Sequence, residues 1–226
     1  MRVYLTVDVE EDIPPFLNTW RGMKGVWTIL HILEEVKVSA TFFTTAETAI
    51  KYPKVVEKIA ERHELASHSY YHVNMRKYSA HQQERMIRLS HSVLSKYQKI
   101  KGFRAPYFQA DLHCLRVLKK LNYVYDSSYP LYKRGSQSII DEYAPTVSNL
   151  LFRVPHSLST KIIMKYCKRD IAPVLFIHPW EVVKNRQIGR IDCTFLTGGY
   201  LAKNFRRILL NLKRKKVDVR SIICEL

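Results

Sequence analysis

Short apolar and β-branched runs alternate along this chain with segments whose apolar residues recur at helical spacing. That is the pattern of strand, crossover helix and parallel strand repeated, and it predicts an α/β fold. Strands are expected near Val3–Val7, Ser39–Thr44, Glu64–Ser67, Gly102–Arg104, Tyr123–Tyr125, Leu150–Val154, Val174–Ile177 and Val217–Arg220. Helices are expected over residues 24–35, 53–62, 79–97, 111–121 and 201–214. Pro53 suits the first turn of the second helix and Asp111 can cap the fourth. No repeat, low-complexity tract or Gly/Ser linker divides the 226 residues, so residues 1–226 read as one domain. Residues 131–149 carry the weakest pattern and read as a surface excursion.

Polar residues cluster just after the expected strands, at the end where α/β enzymes build their sites. In the first strand, Tyr4, Thr6, Asp8 and Glu10 alternate with Val3, Leu5, Val7 and Val9, so two carboxylates share one face, roughly 6 to 7 Å apart along the strand. One can bind a cation while the other handles a proton; an acidic loop of Glu10, Glu11 and Asp12 is the plainer alternative. His68 and His72 follow the third strand, at a spacing that lets both meet one metal if the segment makes a helical turn. Nine histidines make chance pairs common, however. Arg104 ends a strand, where its two parallel donors could orient Asp8, and Pro106 stiffens the turn that presents the Tyr107 N–H, an oxyanion donor. Asp126, Tyr129, His178 and Trp180 close two further strands. Aromatic rings there can stack on sugar faces and a His can act as general acid, although packing explains such residues equally well.

Composition adds three constraints. Apolar residues are 46% and charged residues 25%, which is globular and excludes disorder. Cys114, Cys167, Cys193 and Cys224 stand far apart with no CxxC pair, so neither a zinc ribbon nor a disulfide scaffold is indicated and reduced, mostly buried thiols are expected. Lys plus Arg number 37 against 20 Asp plus Glu, a net charge of +17 that favours an anionic partner. The start, MRVYLTVDVEED, is not a secretory signal, and no apolar run approaches the roughly 18 residues of a membrane span. A cytoplasmic protein is therefore expected. The segment Lys203–Lys216 mixes Lys and Arg with Ile208, Leu209, Leu210 and Leu212. It could rest on an anionic membrane surface, or form a last helix with its apolar face in the core.

In order, TVDVE (6–10), HSYYH (68–72), RAPY (104–107), DSSYP (126–130) and IHPWE (177–181) resemble the five motifs of the polysaccharide deacetylases, carbohydrate esterase family 4. The resemblance runs from residue 3 to 181, and is closest to the subgroup with DVE in the first motif and HPWE in the last. It implies a single-domain distorted (β/α) barrel of about seven parallel strands. It also implies hydrolysis of an N-acetyl group on an amino sugar, in a polysaccharide, oligosaccharide or lipid-linked precursor, by water activated on a divalent metal. Carried over, Asp8 is the base, His178 the acid, Arg104 the residue orienting the base and Tyr107 the backbone oxyanion donor. His68 and His72 are metal ligands, and Asp126, Tyr129 and Trp180 are substrate contacts. Two His and a carboxylate suit Zn2+ best and admit Co2+, Ni2+, Mn2+ or Fe2+.

Two positions depart from the pattern. Val9 stands where many members carry a metal-binding aspartate, which makes Glu10, on the face of Asp8, the expected ligand. Tyr129 stands where many carry the acid supporting the catalytic His, so His178 is expected to be tuned by Asp126 or Glu181, or less strongly than in those members. Other readings are a hydrolase of a non-sugar amide of the cyclic ureide type and a catalytically silent glycan- or anion-binding module. Nothing beyond charge speaks for nucleic acid. The sequence is silent on oligomeric state.

Overall fold

A computed structural model describes residues 1–12, 19–129, 139–169, 171–184 and 194–225. The strands are β1 Arg2–Val9, β2 Thr41–Thr44, β3 Glu64–Ser67, β4 Gly102–Phe103, β5 Tyr125–Asp126, β6 Asp141–Glu142, β7 Val174–Ile177 and β8 Asp218–Arg220. They lie in the order β6-β5-β4-β3-β2-β1-β7, and every pairing is parallel. The first residues of β1 pair with β8 and its later ones with β2. A bridge between Pro145 and Val174 brings the segment after β6 to β7 and closes the curl into a distorted barrel.

The helices are α1 Met23–Val36, α2 Ala46–Lys51, α3 Pro53–Ala60, α4 Ala80–Leu94, α5 Leu112–Lys120, α6 His156–Cys167 and α7 Gly199–Arg214. Each expected helix is present, with ends shifted by a few residues. Pro53 opens α3, and the Asp111 side chain accepts from Cys114 N, capping α5. On β1, Val3, Leu5, Val7 and Val9 join the core under the helices, while Tyr4 packs in a separate cluster inside the barrel with Phe43, Tyr125, Val174 and Ile222. The period of two thus divides the strand between two cores.

Three expectations need correction. Leu150–Val154 is not a strand: Asn149–Arg153 forms a 3₁₀ turn, capped by Ser148, that buries the consecutive residues Leu151, Phe152 and Arg153. Adjacent buried residues are incompatible with strand alternation, and Asn204 of α7 binds the carbonyls of Phe152 and Val154 at 2.8 and 2.6 Å. Within the presumed excursion 131–149, β6 extends the sheet; residues 131–138 lie outside the described set. Two helices, α2 and α6, had no clear sequence signal: α2 has only six residues, and α6 a weakly one-sided pattern. The cysteines 114, 167 and 224 are free, the first two buried and Cys224 exposed; Cys193 is outside the described residues. The apolar face of α7, with Leu201, Phe205, Ile208, Leu209 and Leu212, is in the core.

Candidate metal centre and active site

The strand ends converge on a cleft of about 300 Å3 lined by Asp8, Glu10, His68, His72, Ala105, Tyr107, Phe108, Phe176, His178 and Trp180. Glu10 Oε2 lies 3.1 Å from His68 Nε2 and 2.7 Å from His72 Nε2. The donor atoms of these three residues all lie within 4.8 Å of one another. His68 Nδ1 pairs with the Arg104 carbonyl at 2.7 Å, which fixes the ring with Nε2 toward Glu10. Burial opposes the charged form of Glu10, but the charge of His72 and hydrogen bonds from His68 and His72 outweigh it and hold the carboxyl well below the usual range.

The segment carrying the histidines is not helical. Ser69 takes a left-handed φ of 66°, and the segment is tied down by Ala46 N and Glu47 N of α2, which donate to the carbonyls of Ser69 and Tyr70 at 3.1 Å each. Ser90 Oγ of α4 adds a bond to Ser69 O at 3.0 Å. The short α2, missed in the sequence, is therefore what positions the second histidine.

Asp8 is held from beneath. Arg104, fully buried, donates from Nη1 to Asp8 Oδ1 at 2.6 Å and to Thr6 Oγ1 at 2.9 Å, and from Nη2 to Ser127 Oγ at 2.7 Å. Its guanidinium stacks on Phe43, 4.1 Å from the ring centroid. The parallel two-donor grip expected from the sequence is absent, because the other donors are spent on Ser127. Arg104 instead locks one oxygen of Asp8, and Oδ2 stands 3.9 Å from His178 Nε2.

His178 has a chain of support behind it. Its Nδ1 lies 2.9 Å from Glu181 Oε1, which also accepts from His178 N at 3.0 Å and Asn149 Nδ2 at 3.0 Å. The other oxygen, Oε2, accepts from Arg153 Nη2 at 3.0 Å. Trp180 stacks on the imidazole, centroids 5.0 Å apart. Burial disfavours the charged ring, yet the hydrogen bond to Glu181 and the charges of Glu10, Glu181 and Asp8 prevail and raise His178 to about 9. Glu181, three residues after His178, is visible in the sequence. Arg153 and Asn149 are not, since they reach the site from the turn that the sequence reads as a strand.

Two expected substrate contacts lie away from the cleft. Asp126 is 1% exposed and accepts from Ser128 Oγ at 2.5 Å; burial pushes its carboxyl up, and it sits beside Glu142 on the neighbouring strand. Alternation along β5 turns it outward while Tyr125 faces in. Tyr129 donates its hydroxyl to Ala110 O at 3.0 Å and packs against the outer core. Trp180 and Tyr107 do line the cleft, the latter with φ 57° and its ring 4.5 Å from that of His72.

A (β/α) barrel with two imidazoles and a carboxylate that could hold a metal, and with Asp8 and His178 beside them at its strand ends, defines a hydrolase-type scaffold. The polysaccharide deacetylase family model matches residues 2–125, and the chain belongs to that family. Among solved structures it is similar to wild-type BA3943, a CE4 family pseudoenzyme from Bacillus anthracis, with 18% identity and TM-score 0.67 over 98% of this chain and 64% of that one. It is also similar to a family 4 carbohydrate esterase from Streptomyces lividans in complex with acetate, with 16% identity and TM-score 0.65 over 96% and 91%. The Bc1960 peptidoglycan N-acetylglucosamine deacetylase matches with 21% identity and TM-score 0.66 over 98% and 86%. This chain thus spans less than two thirds of the pseudoenzyme's length. No curated protein gives a match. No helix among the described residues is long and apolar enough to cross a membrane.

Proposed function

We propose that this chain is a metal-dependent hydrolase that removes the N-acetyl group from an amino sugar in a glycan or glycan precursor, and that it falls in the subgroup with DVE and HPWE motifs. The observation carrying this reading is the cluster of Glu10, His68 and His72 with Asp8 and His178 both beside it in one cleft. The donor set of two nitrogens and one carboxylate fits zinc, and the buried Nδ1 of His72 has no hydrogen-bond partner, so Nε2 is the nitrogen that ring offers to the cluster. A divalent cation held there would polarise the amide carbonyl and acidify a water.

Asp8 then acts as the base, its Oδ1 fixed by Arg104 and its Oδ2 receiving the proton of the attacking water. His178, whose protonated form the Glu181 carboxylate favours, gives the Nε2 proton to the departing amine while Glu181 holds Nδ1. The Tyr107 backbone N–H faces the developing oxyanion, and Trp180 and the Tyr107 ring flank the sugar. The likeness to a peptidoglycan N-acetylglucosamine deacetylase supports an N-acetylglucosamine-type substrate.

The test is acetate release from N-acetylated amino sugars, their oligomers and lipid-linked forms, with zinc- or cobalt-loaded protein. Asp8→Asn is expected to lower the rate by about a hundred- to ten-thousandfold with metal still bound, and His72→Ala to lose metal and rate together. Ring-opened acid from a cyclic ureide, with no acetate, would replace this reading by the alternative hydrolase. Bound metal absent and no product formed would leave a silent module.

A further inference from the structure

The opposite end of the barrel carries a feature that the catalytic reading does not use. In a parallel barrel, every connecting helix ends where the next strand begins, so helix C-termini gather there. Cys167 at the end of α6 reaches Arg2 O of β1 at 3.6 Å, and Asp218 N, just past α7, bonds Met1 O at 3.0 Å. Between α6 and the turn after α7 lies a groove of about 420 Å3 lined by Lys161, Met164, Lys165, Lys168, Arg169 and Lys215. A second depression of about 220 Å3, beside Ile162 and Tyr166, shares Lys165 and Arg169 as its wall.

Five cations line the first groove, and among the described residues no carboxylate joins them and no ion pair engages their side chains. Some exposed cations elsewhere are paired, as Arg62 is with Glu34 and Arg206 with Glu35, and others stand singly; what sets this groove apart is five cations around one depression. The negative end of the helix dipole accounts for cations in or just past a last turn, such as Lys165, Lys168 and Lys215. It does not account for Lys161, which lies mid-helix and, with Lys165 one turn later, forms a like-charge pair that weakens the helix. Lysines in that register, walling two adjoining depressions and without counter-charge among the described residues, are suited to an anion with more than one phosphate group.

We propose that the α6–α7 groove is a binding site for a multiply charged phosphate anion, presented by a lipid headgroup or by a soluble polyphosphate. The apolar face of α7 is in the core, so contact with a lipid surface would run through these cations and not through an inserted helix. None of the six residues lines the catalytic cleft, so the site stands whether or not amide hydrolysis is found.

The test uses the full chain at low salt with two probes: tripolyphosphate by calorimetry, and flotation with phosphatidylcholine vesicles holding an equal share of phosphatidylglycerol. The variant Lys161→Gln/Lys165→Gln/Arg169→Gln should lose affinity on the order of a hundredfold. A control of equal charge change, Lys96→Gln/Lys119→Gln/Lys120→Gln on α5 and just past α4, should stay within about threefold of the parent. Tripolyphosphate binding that also displaces protein from vesicles supports the site with lipid headgroups as a source. Tripolyphosphate binding without flotation supports it with soluble phosphate as the source. No binding of either probe by the parent, or equal loss in both triple variants, overturns the proposal in favour of a diffuse positive field.

Discussion

His178 Nε2 stands 3.9 Å from both Asp8 Oδ2 and Glu10 Oε1, and Asp8 and His178 are each held by a partner that has little freedom of its own. For Asp8 that partner is Arg104, tied to Thr6, Ser127 and the Phe43 ring. For His178 it is Glu181, tied to Asn149 and Arg153. Because the folded-state value of His178 is raised from 6.5 to about 9, its contribution to stability is fully present below 6.5 and is lost as pH rises through 9. In metal-free protein this loss should be on the order of 3 kcal/mol, read by urea unfolding across that window. Glu181→Gln removes the charge but keeps an acceptor for Nδ1. It should flatten the loss and move the alkaline limb of kcat to lower pH, with KM nearly unchanged. An unmoved pH profile would mean that Glu181 only packs. Asp8 and Glu10 were legible as a pair on one strand face, and His68 and His72 as a pair by spacing. Arg153 and Asn149 were not, since nothing local links residues near 150 to residue 178.

At the scale of elements, the site depends on close approaches between backbones. A Cβ on Gly25 of α1 would lie 2.0 Å from Pro179 O, so α1 backs directly onto the segment that carries His178, Trp180 and Glu181. Gly25→Ala should therefore displace that segment, destabilising the fold by about 1 to 3 kcal/mol and lowering acetate release more than an equally destabilising substitution elsewhere in the core. Chemical denaturation and single-turnover rates measured together distinguish the two effects. Long amphipathic helices and β-branched strands were readable because their periodicity is local. The turn at Asn149–Arg153 was misread because Leu150, Leu151 and Phe152 form an apolar run whose partner, Asn204, lies some fifty positions away. β5 and β6 have two residues each, too few to show a period.

Across the whole molecule, the three candidate metal donors come from just past β1 and from the segment after β3, so a bound cation would cross-link parts of the chain 58 residues apart. Zinc at about a thousand times its Kd should stabilise the fold by about 4 kcal/mol, seen as a rise in Tm that a chelator reverses and that His72→Ala abolishes. The α/β alternation, the five longer or more one-sided helices, the alternating faces of β1 and the spacing of the two His were determined by the sequence alone, because hydrophobic period and motif order are written along the chain. Only the tertiary structure decided that Asp126 and Tyr129 face away from the cleft, because two-residue strands leave their facing to be set by neighbours. It alone decided that Asn149 and Arg153 hold Glu181 behind His178, and that lysines from α6 and the end of α7 share one groove. Those are meetings of residues distant in the chain, and their physical cause is barrel closure, which brings all strand ends to one side and all helix ends to the other.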